Sequence, residues 1–131
     1  VRFLLIHYLD ENATLDPAED PGAEGSAAAL AMRDWIAEME GSGVKVFGGA
    51  LRPSGEAATV RMRGGELLVS DGPFAETKEQ IAGFDVLECG SLEEAVAIAS
   101  RHPTARTGTF ELRAFRPPQD QPSPRDAGPL A

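Results

Sequence analysis

Large apolar residues crowd the start of the chain at Phe3, Leu4, Leu5 and Ile6, and an acidic stretch begins at Asp10. A short apolar run of this kind predicts a strand over residues 1–8, buried on both faces. From Ala28 the period changes. Ala31, Met32, Trp35, Ile36 and Met39 keep the i, i+3, i+4, i+7 spacing of one helical face, which Gly41 and Gly43 bring to an end. Residues 44–51 predict a second strand. Its Gly48-Gly49 removes two side chains, which marks a bulge or a close approach by a ligand or a neighbouring segment. Residues 60–63 and 66–69 flank Gly64-Gly65 and predict a hairpin. A strand over residues 81–88 follows. Ser91-Leu92-Glu93-Glu94 then reads as a capping box opening a helix through Arg101, which His102-Pro103 stops. Residues 108–115 supply the last strand.

The order strand, helix, strand, hairpin, strand, helix, strand is what a split β-α-β plan needs. It predicts an α+β, ferredoxin-like sandwich with one extra β-hairpin. Between the first strand and the first helix, residues 10–25 hold six carboxylates, two prolines and two glycines, the composition of a solvated loop. Beyond Arg116 the hydrophobic period is lost and half of the chain's ten prolines accumulate. Residues 1–116 are therefore expected to form one domain and residues 117–131 a disordered Pro-rich tail.

A chain of 131 residues is long enough for one domain with a real core. The formal net charge of -9 argues against nucleic acid, because phosphate-backbone affinity comes from clustered Lys and Arg and the basic residues here are scattered. One cysteine, Cys89, excludes an internal disulfide, and two histidines make no zinc-type cluster. No metal and no cofactor is implied, since no phosphate-cradling glycine loop or nucleophile elbow is present. The longest apolar run is far short of the ~20 residues that span a bilayer, and no basic segment with a cleavage site precedes it. A cytoplasmic protein without membrane contact is expected.

The most distinctive stretch is Asp71-Gly72-Pro73-Phe74-Ala75-Glu76-Thr77-Lys78-Glu79-Gln80, followed by Ile81-Ala82-Gly83-Phe84-Asp85-Val86-Leu87-Glu88. An Asp whose side chain can bond its own backbone, a Gly and a Pro make a stiff turn. The block resembles the signature of the DGPF branch of the YCII-related proteins, a bacterial family. Residues 3–8 look like that family's first strand, and His102-Pro103 with residues 108–115 look like its ending. The resemblance implies a ferredoxin-like fold paired into a dimeric α+β barrel-type assembly, and a cleft of mostly unassigned chemistry. It also implies a His-Asp site with the histidine in the first helical region. Here that helix offers only Arg33, Asp34, Glu38 and Glu40, so Asp71 is the one family residue that carries over directly.

With the first strand and the 81–88 strand read as parallel, Asp71, Glu76, Lys78 and His102 are expected at one end of the sheet and His7 at the other. Asp71 and His102 are then the candidate acid/base pair, the carboxylate orienting an imidazole that moves a proton near neutral pH. Their structural alternatives are a turn bond for Asp71 and a helix C-terminus for His102. His7, Gly48, Gly49, Phe74, Glu76 and Lys78 are the candidate ligand-binding residues. Against that, His7 suits packing beside Phe3 and Leu5, Phe74 suits a core or dimer anchor, and the charges suit a solvated face. Cys89 has no adjacent base that would make it reactive.

Three functions fit these residues. One is a small-molecule site beside the signature loop, with Asp/His acid-base catalysis as its chemistry; the resemblance adds that some YCII-related proteins are linked to breakdown of chlorinated aromatics. The second is an accessory regulatory module acting through protein contacts, since the resemblance implies association with sigma factors of the extracytoplasmic-function type. The third is a non-catalytic homodimeric scaffold, in which the stiff turn serves only the fold.

Overall fold

The structure is a computed structural model and describes residues 1–120. In chain order its elements are β1 (Arg2–Leu9), α1 (Ala27–Gly41), β2 (Lys45–Ala50), β3 (Ala58–Arg63), β4 (Glu66–Asp71), β5 (Gln80–Glu88), α2 (Leu92–Ser100) and β6 (Thr109–Ala114). The strands of the main sheet lie in the order β2-β5-β1-β6, and β3 and β4 form a separate two-stranded ribbon. Among the described residues the protein is thus α+β, with two α-helices and antiparallel sheets. Of the tail expected from residue 117, Pro118–Asp120 forms a single 3-10 turn and residues 121–131 lie outside the described residues.

Every pair of neighbours in the main sheet is antiparallel. The expected parallel pairing of the first strand with the 81–88 strand is therefore wrong. An α-helical crossover returns β2 in the same direction as β1, and β5, inserted between them, must run against both. Leu9 consequently faces Gln80 and His7 faces Gly83, while Arg2 faces Glu88 at the other end. The loop entering β5 and the end of β1 meet at one edge, and α2 carries the chain back toward that same edge. His7 is not held apart from His102, as had been expected.

Alternation along the strands decides which side chains meet the helices. Phe3 and Leu5 of β1 and Leu87 of β5 are buried together with Trp35, Met39, Ile98 and Ala99. Within α1 the buried positions are Ala28, Trp35 and Met39, with Met32 and Ile36 half-buried; Ala31 faces solvent. Trp35 Nε1 donates to the carbonyl of Ile98 at 3.0 Å, tying the two helices together. Ser26 caps α1 by accepting from the Ala29 amide at 2.9 Å. Ser91 caps α2 in the same way, and the Glu94 carboxylate accepts from the Gly90 amide, one residue further back than in the usual reciprocal box. Among the described residues no helix is long and apolar enough to cross a membrane.

Candidate active site

Period-two alternation puts His7 on the helix side of β1, two residues beyond Leu5, and puts Asp85 on the same side of β5, two residues before Leu87. A carboxylate in the middle of an apolar strand requires a partner, because an unpaired buried charge is strongly unfavourable. His7 supplies it: Nε2 lies 2.8 Å from Asp85 Oδ2, with the side chains only 13% and 7% exposed. The carboxylate accepts, so Nε2 carries the proton and Nδ1 of neutral His7 keeps its lone pair. On the other side of Asp85, Lys45 Nζ lies 3.8 Å from Oδ1 and 3.1 Å from Glu40 Oε1.

Space for that carboxylate is made on β2. A methyl group on Gly48 would fall 2.2 Å from Asp85 Oδ1 and 2.5 Å from the carbonyl of Phe84. The close approach expected at Gly48-Gly49 is thus a neighbouring strand at Gly48. At Gly49 an added methyl would meet nothing within 4 Å, and its backbone lines a cavity.

His102 stands against the same dyad. Its ring centroid is 5.1 Å from that of His7, edge to face, and it is further clamped by Trp35 at 4.7 Å and Phe110 at 5.1 Å. Pro103 follows it at the first position of a 3-10 turn and has no N–H, so Thr104 brings the first free donor. That amide donates to His102 Nδ1 at 3.1 Å. Burial, and secondarily the neighbouring His7, push His102 down from 6.5 to about 4, with Asp85 opposing the shift. His102 is therefore neutral at physiological pH.

His7, Asp85, Lys45 and His102 line a cavity of about 360 Å³. Its remaining wall is largely apolar and includes Leu9, Met32, Ile36, Ala82 and Phe84, with Pro21 and Gly22 closing it from the acidic loop. An apolar enclosure with one imidazole–carboxylate pair suits a small molecule from which a proton is removed. Among the described residues no group of three or more His, Cys, Asp or Glu is arranged to hold a metal.

The other expected site residues lie elsewhere. Asp71 ends β4 opposite Ala58, is exposed, and its carboxylate makes no hydrogen bond among the described residues. It therefore neither closes a turn nor meets His102. The loop over residues 72–79 is held by other groups: the Gly72 amide donates to the Ala57 carbonyl at 2.7 Å, and Gln80 Nε2 donates to the carbonyls of Ala75 and Thr77. Asp71, Glu76 and Lys78 border a separate polar cavity of about 380 Å³ with Glu11 and Ser54. Phe74 is 80% exposed, with the Arg61 guanidinium 5.8 Å above its ring. Cys89 belongs to the core, where burial and then Glu94 raise its thiol. Asp85 and Lys45 had not been expected at a site. The signal for Asp85 was present, a single carboxylate inside Phe84-Asp85-Val86-Leu87, but its partner depends on strand direction.

A 47% identical match over 77 residues, 56% of this chain, joins it to an uncharacterized protein of Rhizobium meliloti (strain 1021), of which the match spans 62%. Among solved structures, a 5-chloro-2-hydroxyhydroquinone dehydrochlorinase of Burkholderia phenoliruptrix in complex with 2,5-dihydroxybenzoquinone is similar at 13% identity and a TM-score of 0.42, over 88% of this chain and 94% of that one. The YCII-related domain model matches residues 1–118, and the chain belongs to the YCII-related domain family.

Proposed function

We propose that the protein binds a small, largely apolar molecule in the cavity between α1 and the β1–β5 strand pair, and that the His7–Asp85 dyad takes a proton from it. The observation that carries this reading is the 2.8 Å bond between a histidine and a carboxylate at the wall of an apolar cavity. Asp85 fixes the orientation and tautomer of His7, which leaves Nδ1 as the base, the arrangement general-base catalysis needs. The site differs from the one expected beside the signature loop, whose charged side chains face solvent.

NMR titration with 4-nitrophenol and 2-naphthol tests it. Shifts at His7, Met32, Ile36 and Phe84 are expected. Shifts confined to Pro73, Phe74 and Lys78 would move the site to the loop, and no binding at millimolar concentration would sink the reading.

A second copy of the chain is the partner we propose for the sheet face turned away from the helices. Leu4, Ile6 and Val86 alternate onto that face and remain half-buried, and Phe47, paired with Val86, is 64% exposed. An apolar sheet face of this kind is a natural subunit contact. Native mass spectrometry at micromolar concentration should find a dimer, and a monomer would remove the proposal.

A further inference from the structure

We propose that His102 is a fixed hydrogen-bond donor of the cavity, presenting Nε2–H to an oxygen of the bound molecule, and that the ligand class is accordingly a ketone, enol or phenol. The inference rests on reading this cavity as the ligand site and adds the chemistry of what it takes.

The tautomer follows from the chain. His102 caps the turn Pro103–Arg106, and because Pro103 lacks an N–H the ring receives the Thr104 amide on Nδ1. A nitrogen that accepts a backbone N–H bears no proton, so the proton of the neutral ring sits on Nε2. The position is also disfavoured for an imidazolium, which would stand at the donor end of the turn and inside the core. Rotation of the ring is blocked by Trp35, Phe110 and His7 on three sides.

Nε2–H has no partner among the described residues, although His102 is only 3% exposed. Among the described residues no buried side-chain nitrogen or oxygen is sealed off without a hydrogen bond. The atom must then reach open space, and the space His102 lines is the cavity it shares with His7 and Asp85. A buried, oriented donor without a partner in an apolar pocket is completed by an oxygen of the ligand.

The two imidazoles thus offer opposite faces: His7 an acceptor nitrogen, His102 a donor N–H. For a ketone the step balances without a further reagent. The carbon–hydrogen bond beside the carbonyl breaks, its proton goes to His7 Nδ1, and its electron pair becomes the C=C bond of an enolate. The carbonyl pair moves onto oxygen, which receives the hydrogen bond from His102, whose own proton stays in place. A neutral imidazole stabilises such an oxygen without competing for the proton. Phenolates resemble that enolate in charge and shape and serve as probes.

Two measurements decide. Long-range proton–nitrogen NMR of the full chain should show His102 neutral with the proton on Nε2 between pH 5.5 and 9, and a downfield shift of that proton on binding 4-nitrophenol. A proton on Nδ1, or titration near 6.5, overturns the proposal, and this holds even if no variant folds. Binding of 4-nitrophenol should then weaken about tenfold or more in His102→Phe. His102→Asn keeps a cap for the Thr104 amide, so it should recover stability but not affinity. Unchanged affinity in both variants refutes the donor role while leaving the cavity reading intact. Failure of 4-nitrophenol to bind the wild-type protein overturns both.

Discussion

His7 Nε2 and Asp85 Oδ2 lie 2.8 Å apart although 78 positions separate the residues in the chain. The contact exists because β1 and β5 are adjacent and antiparallel, so His7, opposite Gly83, and Asp85, opposite Leu5, are diagonal neighbours on the helix side. Asp85→Asn preserves the size of the side chain but replaces a charged acceptor by a neutral amide. A loss of about 1–3 kcal/mol in urea unfolding is expected, the magnitude of one charge-assisted bond. His7 should also lose its single tautomer, visible as mixed imidazole nitrogen shifts. A single unchanged tautomer in Asp85→Asn would show that the carboxylate does not orient the ring.

The approach of β2 to β5 gives a sharp contrast between adjacent glycines. Gly48→Ala would set a methyl 2.2 Å from Asp85 Oδ1 and 2.9 Å from Asp85 Cα, against a strand backbone that has little freedom to retreat. A loss of roughly 2–4 kcal/mol is expected, since overpacking is added to displacement of a paired carboxylate. Gly49→Ala meets open space and should change stability by less than about 1 kcal/mol. Equal effects of the two substitutions would contradict the packing described for Asp85.

The elements were legible because each is written in a local period. The helical face through Met32, Trp35 and Met39, the turn at Gly64-Gly65 and the cap Ser91 all act over a few residues, and the structure places elements there within a residue or two. The site was not legible in the same way. It joins a β1 histidine, a β5 aspartate and a histidine after α2, and only the direction of β5 against β1 decides whether they meet. Reading that pair as parallel sent His7 to the wrong end of the sheet.

The signature loop drew the reading for a related reason. Asp71-Gly72-Pro73-Phe74 stands out by composition, but its conspicuous side chains, Asp71 and Phe74, are exposed. The quieter Phe84-Asp85-Val86, ten or so residues on, holds a carboxylate that the core obliges to find a partner. Local rarity and burial are separate properties, and the site we propose rests on burial.

Two substitutions in the loop separate backbone from side chain. Gly72 has a φ of 93°, outside the range of ordinary L residues, and its amide bonds Ala57. Gly72→Ala should therefore lower stability by about 1–2 kcal/mol. The Asp71 carboxylate makes no bond among the described residues, so Asp71→Asn should stay within about 0.5 kcal/mol of the wild-type protein. Denaturant unfolding of both reads the result, and a severe loss in Asp71→Asn would restore the carboxylate as a determinant of the turn.

The neutral state of His102 has a consequence for stability against pH. Its folded value, near 4, lies below its ordinary value of 6.5, so between those limits the unfolded chain binds more protons than the native one. Stability must rise with pH across that window: the contribution is fully present above about 6.5 and is lost as pH falls toward 4. The slope from this one residue approaches about 1.4 kcal/mol per pH unit, and the total approaches about 3 kcal/mol. His7 and Asp85, which face the ring, and the exposed carboxylates are present in both proteins compared, so the difference between wild type and His102→Phe isolates the effect. Urea unfolding at pH 4.5, 5.5, 6.5 and 7.5 should give curves that converge toward acid, with the wild type losing more than the variant. Parallel curves would mean that His102 takes up a proton in the fold as readily as in the unfolded chain, and its Nδ1 would then not be the fixed acceptor of the Thr104 amide.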